Sequence, residues 1–214
     1  QLEKLAEIGI PVVIATTNSQ NDDILADFFE ERKILFYRGN EENVLRRYID
    51  AAEKFNFDKI IRVCSDNPFI DIPFLKRLLN IAHENTEKDY ISFSFQNKPT
   101  ILSHFGIFAE YVTLNALKKV ESYENRFYTE HVTYGIYSNP DAFNIMLIPL
   151  DNEIAKFNGI RLTVDDQKDY ENTLAVHEII QNEHIERFED LAEIIISNQT
   201  LFERMKTQIE RNTK

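Results

Sequence analysis

Along the first half of the chain, short apolar runs alternate with amphipathic stretches, and this alternation constrains the fold more than any other feature. PVVIATT, ILFYR, DKIIRVC and DYISFS are rich in β-branched and aromatic residues and too short for helices. Between them lie NDDILADFFEERK, NEENVLRRYIDAAEKF and IDIPFLKRLLNIAHEN, which repeat their apolar residues at helical spacing. In the second of these, Val44, Leu45, Tyr48, Ile49 and Ala52 form one face and Asn40 is placed to cap it; Asp71 caps the third, with Pro73 in its first turn. Continuously apolar strands separated by helices imply a mostly parallel sheet covered on both faces, a doubly wound α/β fold.

From Pro99 the rhythm changes. TILSHFGIFAEYV reads as one or two strands bent at Gly106, and TLNALKKV as a helix. ENRFYTEHVTYGIYSNP reads as a helix closed by Asn139-Pro140, and AFNIMLIPL and IRLTV as strands. No repeat or linker divides the 214 residues, so the expectation is one domain over 1–214 with a mixed-sheet insertion at 95–160 and a helical tail at 186–214. The tail carries an apolar stripe at Leu191, Ile194, Ile195, Leu201, Met205 and Ile209, which could cover the sheet or form the seam of a homodimer. The chain opens without Met, inside a helical pattern (Leu2, Leu5, Ile8) stopped by Gly9, so a segment upstream is expected to be missing from it.

Composition narrows the function. A formal charge of -12 argues against nucleic acid or an anionic membrane as partner. An acidic protein that handles phosphates needs a metal ion or a local basic patch. The single cysteine, Cys64, excludes an internal disulfide or a cysteine-built zinc site. No apolar run reaches the roughly 18 residues of a membrane span and no signal peptide is apparent, so a cytoplasmic location is expected.

Ligands of open α/β sheets bind at the carboxyl ends of the strands. Asp66 and Asp165 are read as following strands directly, and neither has an evident structural task, whereas Asp71 and Asp166 (with Asp169) serve as helix caps. Two carboxylates converging there would suit Mg²⁺, which takes one or two of them and completes its shell with water and substrate oxygens. Either could equally be a turn residue, as Asp before Asn-Pro often is. Thr16 could meet a nucleotide base or simply close a turn. Arg62, inside a strand, needs a carboxylate partner or reaches a triphosphate. Ser65 and Asn67 flank Asp66 and could bind ribose or base. His131 could orient a sugar or be packed; His83, His104, His177 and His184 form no cluster.

Five blocks carry a resemblance: VVIATTNSQNDD, YRGNEENVLRRYIDAAEKF, IIRVCSDNPFIDIPFL, EHVTYGIYSNPDAF and IRLTVDDQKDYE. In this order they resemble the cytidylyltransferase family named for spore-coat polysaccharide biosynthesis, which is related to the CMP-sugar synthetases for 3-deoxy-manno-octulosonate and acylneuraminate. The resemblance covers nearly all of residues 10–180. It implies the nucleotide-diphospho-sugar transferase fold and transfer of a cytidylyl group from CTP to a sugar or sugar phosphate, with Mg²⁺ as cofactor and pyrophosphate as product. It matches Asp66 and Asp165 to the family's metal-binding acids, strengthens Ser65 and Asn67 as nucleotide contacts, and places Glu110, Glu130 and His131 at the sugar site. The sequence departs from the pattern in three places. The family's opening strand and triphosphate loop are absent, Gln167 stands where Pro is frequent, and Asn43 stands where an acid is common. Two rivals remain at this stage. A glycosyltransferase of related fold would show an Asp-x-Asp strand end. A noncatalytic nucleotide- or sugar-binding module would fit the missing loop.

Overall fold

The computed structural model describes residues 2–212. The chain runs α1 (Leu2–Ala6), β1 (Val13–Thr17), α2 (Asp23–Glu31), β2 (Leu35–Gly39), α3 (Val44–Phe55), β3 (Lys59–Arg62), α4 (Ile72–Glu84), β4 (Tyr90–Phe95) and β5 (Lys98–Pro99). It continues through β6 (Glu110–Thr113), α5 (Leu114–Glu121), α6 (Arg126–Glu130), α7 (Tyr134–Tyr137), β7 (Ile145–Pro149), α8 (Asn152–Ala155), α9 (Gln167–Glu183), α10 (Phe188–Ser197) and α11 (Gln199–Arg211). The α/β alternation expected from the sequence is present.

Among the described residues the strands form two sheets. β1 and β2 pair in parallel, Val13 opposite Leu35. The larger sheet has the order β3-β6-β4, with β5 and β7 also on β4. β6 is antiparallel to both β3 and β4, so β3 and β4 run the same way, and β7 is parallel to β4. Residues 110–113 therefore supply the antiparallel strand at the centre of this sheet.

Strand alternation distributes the core over both faces. Ile91, Phe93 and Tyr111 point to one side, against Leu75 and Leu78 of α4, Val176 of α9, Leu191 and Ile195 of α10, and Leu201 and Met205 of α11. Tyr90 and Val112 point to the other, against Leu45 and Ile49 of α3, Leu117 and Val120 of α5 and Ile136 of α7. Each of these leucines and isoleucines contributes about 1.5–3 kcal/mol by leaving water. Much of the tail's apolar stripe thus covers this chain's own sheet.

Several local expectations are corrected. Asn43, one residue before α3, is its cap and accepts the Arg46 amide at 2.9 Å; Asn40 instead accepts the Asn43 amide. Asp71 caps α4 as expected, accepting the Phe74 amide at 2.8 Å. The helix expected over 124–140 is two helices broken around His131, because Val132 and Thr133 turn inward to buried positions. IRLTV forms no regular strand. It is an extended segment held by single bonds, Leu162 N–H to His104 O and Val164 N–H to Asp66 O, both 2.9 Å. Gly106 permits that closeness: its φ is +63°, and a Cβ there would sit 2.7 Å from the Leu162 carbonyl.

Candidate active site

β3 ends at Arg62, so Asp66 does not finish a strand. It lies in the tight turn that follows, where the Asn67 amide donates to the Cys64 carbonyl at 3.2 Å. This turn leaves Ser65 exposed, Asp66 half-buried and Asn67 buried. The Val164-to-Asp66 backbone bond then brings the Asp165 segment alongside. Asp66 itself supplies the carbonyl of this bond and Asp165 follows its donor by one residue, so the two acids, remote in sequence, become neighbours. Ser65 and Asn67 accompany them by chain connection.

Asp165 is held by a residue that the sequence reading passed over. Arg161 is wholly buried and engages three side chains. Its Nε and Nη2 donate to the two oxygens of Asp169 at 2.8 and 2.6 Å, Nη2 also to Asp165 Oδ2 at 2.5 Å, and Nη1 to His104 Nδ1 at 2.6 Å. An arginine only donates, so His104 is the acceptor. Asp169 Oδ2 also accepts the Asp165 amide at 3.0 Å. Burial pushes the Asp169 carboxyl up, but the Arg161 fork and the Asp165 amide hold it below its ordinary value. Asp166 caps α9 through the Lys168 and Asp169 amides and takes two bonds from Gln208 of α11. Asp165 therefore has a structural partner after all, while about a third of its side chain stays open to solvent.

Arg62 and Glu110 face each other in register across β3 and β6, 2.7 Å apart. Glu110 also accepts from the Tyr90 hydroxyl and, at 3.2 Å, from Thr133 Oγ1. Burial works against the Arg62 charge, yet the Glu110 carboxylate bonded to it offsets that cost and keeps the guanidinium protonated. Tyr90 is pushed well up by burial and by Glu110. Arg62 thus has the carboxylate partner that a strand arginine requires, and Glu110 is fully engaged within the core. Thr133 links this group to the turn carrying Glu130 and His131, both exposed. The His131 ring lies 4.4 Å from that of Phe127.

Thr16 belongs to the smaller sheet. Its hydroxyl donates to Asp22 Oδ2 at 3.2 Å, as do the Thr17 hydroxyl and the Thr17 amide. The Thr17 hydroxyl is the main cause of a lowered Asp22 carboxyl. Arg38 closes the same turn through the Thr17 and Ser19 carbonyls and Asp23. Thr16 is accordingly tied into the loop that follows β1.

The donor set at Asp66 and Asp165 is carboxylate oxygen, the type Mg²⁺ takes. Among the described residues no group of three or more His, Cys, Asp or Glu side chains forms a metal cage. A divalent ion here would depend on substrate oxygens, as Mg²⁺ commonly does, and on those terms the residues fit it.

A sequence profile described as Cytidylyltransferase matches residues 2–207. The uncharacterized protein MJ1063 of Methanocaldococcus jannaschii is 31% identical over 160 residues, covering 74% of this chain and 62% of that protein. The spore coat polysaccharide biosynthesis protein SpsF of Bacillus subtilis is 32% identical over 170 residues, 78% of this chain and 67% of SpsF. The match thus spans about two thirds of the length of these curated relatives. The solved structure of a cytidylyltransferase from Leptospira borgpetersenii superposes with a TM-score of 0.74 at 26% identity, covering 89% of this chain and 78% of that one.

Proposed function

The chain belongs to the cytidylyltransferase family, and on that premise we propose that it is a metal-dependent nucleotidyltransferase of surface-polysaccharide precursor synthesis, transferring a cytidylyl group from CTP to a sugar or sugar phosphate in the cytoplasm. The observation that carries the reading is the Val164-to-Asp66 hydrogen bond, which brings two acidic residues of distant sequence alongside each other, Asp66 partly buried and Asp165 exposed. In the reaction an acceptor oxygen attacks the α-phosphorus, a new P–O bond forms, and pyrophosphate leaves with the electron pair of the broken bond. Asp66 and Asp165 would hold Mg²⁺, which supplies positive charge to the phosphate oxygens.

The remaining roles follow from position. Ser65 and Asn67, on the turn that carries Asp66, would contact the nucleotide. Thr16 would act through the Asp22-anchored loop. Arg62 and Glu110, bonded to each other within the core, serve the fold as an ion pair. Glu130 and His131, exposed at the end of α6 and linked to Glu110 through Thr133, offer a carboxylate and an imidazole to the acceptor. Pyrophosphate release from CTP, with and without Mg²⁺, tests the proposal in wild type and in Asp66→Asn. The proposal expects loss of release in the variant with unchanged folding. Turnover retained by folded Asp66→Asn, or UDP-sugar hydrolysis in place of CTP turnover, would count against it.

A further inference from the structure

The Arg161 cluster does more than fill a buried position. A guanidinium is a rigid planar fork, and two bonds to one carboxylate fix its plane. Asp169 makes those two bonds through Nε and Nη2. Nη1 is committed to His104, so Arg161 cannot turn about its own axis without breaking contacts to α9 and to the 104–107 segment. Asp169 is itself steadied by Gln208 of α11 and sits in the first turn of α9. The hydrogen that Nη2 retains reaches Asp165 Oδ2, and the Asp165 amide is fixed on Asp169. Asp165 is thereby held at two points, the backbone and one carboxylate oxygen.

We infer that Arg161, locked by Asp169 and His104, is a positioning residue that reserves one oxygen of Asp165 and presents the other to the metal, so that the ion is retained only together with the nucleotide's phosphates. This rests on the function proposed above. The physical reason is charge. A fixed cation 2.5 Å from Asp165 Oδ2 weakens that carboxylate as a ligand for a bare divalent ion. Phosphate oxygens must supply the missing donors and negative charge. The site then binds metal and nucleotide as one unit and resists loading by metal alone.

The test follows Mn²⁺ by electron paramagnetic resonance, with and without CTP, in the 214-residue wild type, Arg161→Lys and the isosteric Asp169→Asn. In wild type, CTP is expected to tighten Mn²⁺ binding. In the variants, Mn²⁺ affinity in the presence of CTP is expected to fall by about 10–100-fold, the usual effect of removing a support behind a metal ligand. The CTP concentration at half-saturation should change far less. Melting curves establish that each variant is folded, and a purely structural role would lower melting without moving the Mn²⁺ signal. Unchanged Mn²⁺ affinity in either folded variant overturns the inference. So does wild type binding bare Mn²⁺ as tightly as with CTP, a result that needs no variant to fold. Wild type that binds no Mn²⁺ in the presence of CTP instead overturns the proposed function.

Discussion

Replacing Glu110 by Gln is expected to cost stability out of proportion to a change of one atom. The Glu110 side chain is 3% exposed and that of Arg62 is 13% exposed, so solvent screens their 2.7 Å contact little. Gln keeps the volume and one acceptor oxygen, and can still receive bonds from Tyr90 and Thr133. It cannot offset the Arg62 charge. Removing one partner of a buried pair costs about 3–5 kcal/mol, because the remaining ion stays in the core without compensation. For a chain of this size each kcal/mol lowers the melting temperature by roughly 2–4 °C, so the expected fall is about 6–20 °C. Calorimetry measures it directly. The double variant Arg62→Met/Glu110→Gln removes the stranded cation and should regain at least half of the loss. A melting temperature within about 2 °C of wild type for Glu110→Gln would refute the argument, since it would mean that the carboxylate is not what balances Arg62.

Other outcomes follow from the same contacts. Gly106→Ala should destabilise by at least about 2 kcal/mol in urea unfolding, because the residue has φ +63° and the new methyl would meet the Leu162 backbone at 2.7 Å. Asp22, Asp166 and Asp169 all have carboxyls held below the ordinary value of 3.8. Their contribution is therefore present above that value and lost as pH falls through their lower folded-state values. Acid unfolding should steepen below about pH 4, and Asp169→Asn should flatten that limb of the pH–stability curve.

The fold was legible where one level of structure decides it. Apolar runs and amphipathic helices located the larger elements, and Asp71 and Asp166 announced their helices by capping chemistry. The losses came where tertiary contacts override local pattern. Nothing local says that Thr133 will turn in to Glu110 and divide a helix, or that Ile160–Val164, buried like a strand, will lack a ladder. At the site, the sequence suggests Asp66 and Asp165 together, but not the turn after β3 or the partner of Asp165. Arg161 could have been found by the reasoning applied to Arg62: an arginine in an apolar segment must meet carboxylates, and Asp165 and Asp169 follow it closely in the sequence. His104 gave no signal, because its contact with Arg161 spans 57 residues of sequence.

The central claim is that Asp66 and Asp165 form a metal-dependent site for a cytidine triphosphate. Thermal-shift titration of wild type and Asp66→Asn with each nucleoside triphosphate, with and without Mg²⁺, tests it most directly. At about 100 times the dissociation constant, a ligand of the native state adds roughly 2.7 kcal/mol, a shift of several degrees. The account predicts this shift for wild type with CTP and Mg²⁺ together, and its loss in Asp66→Asn. An equal shift without Mg²⁺, or one that survives the substitution, would contradict it.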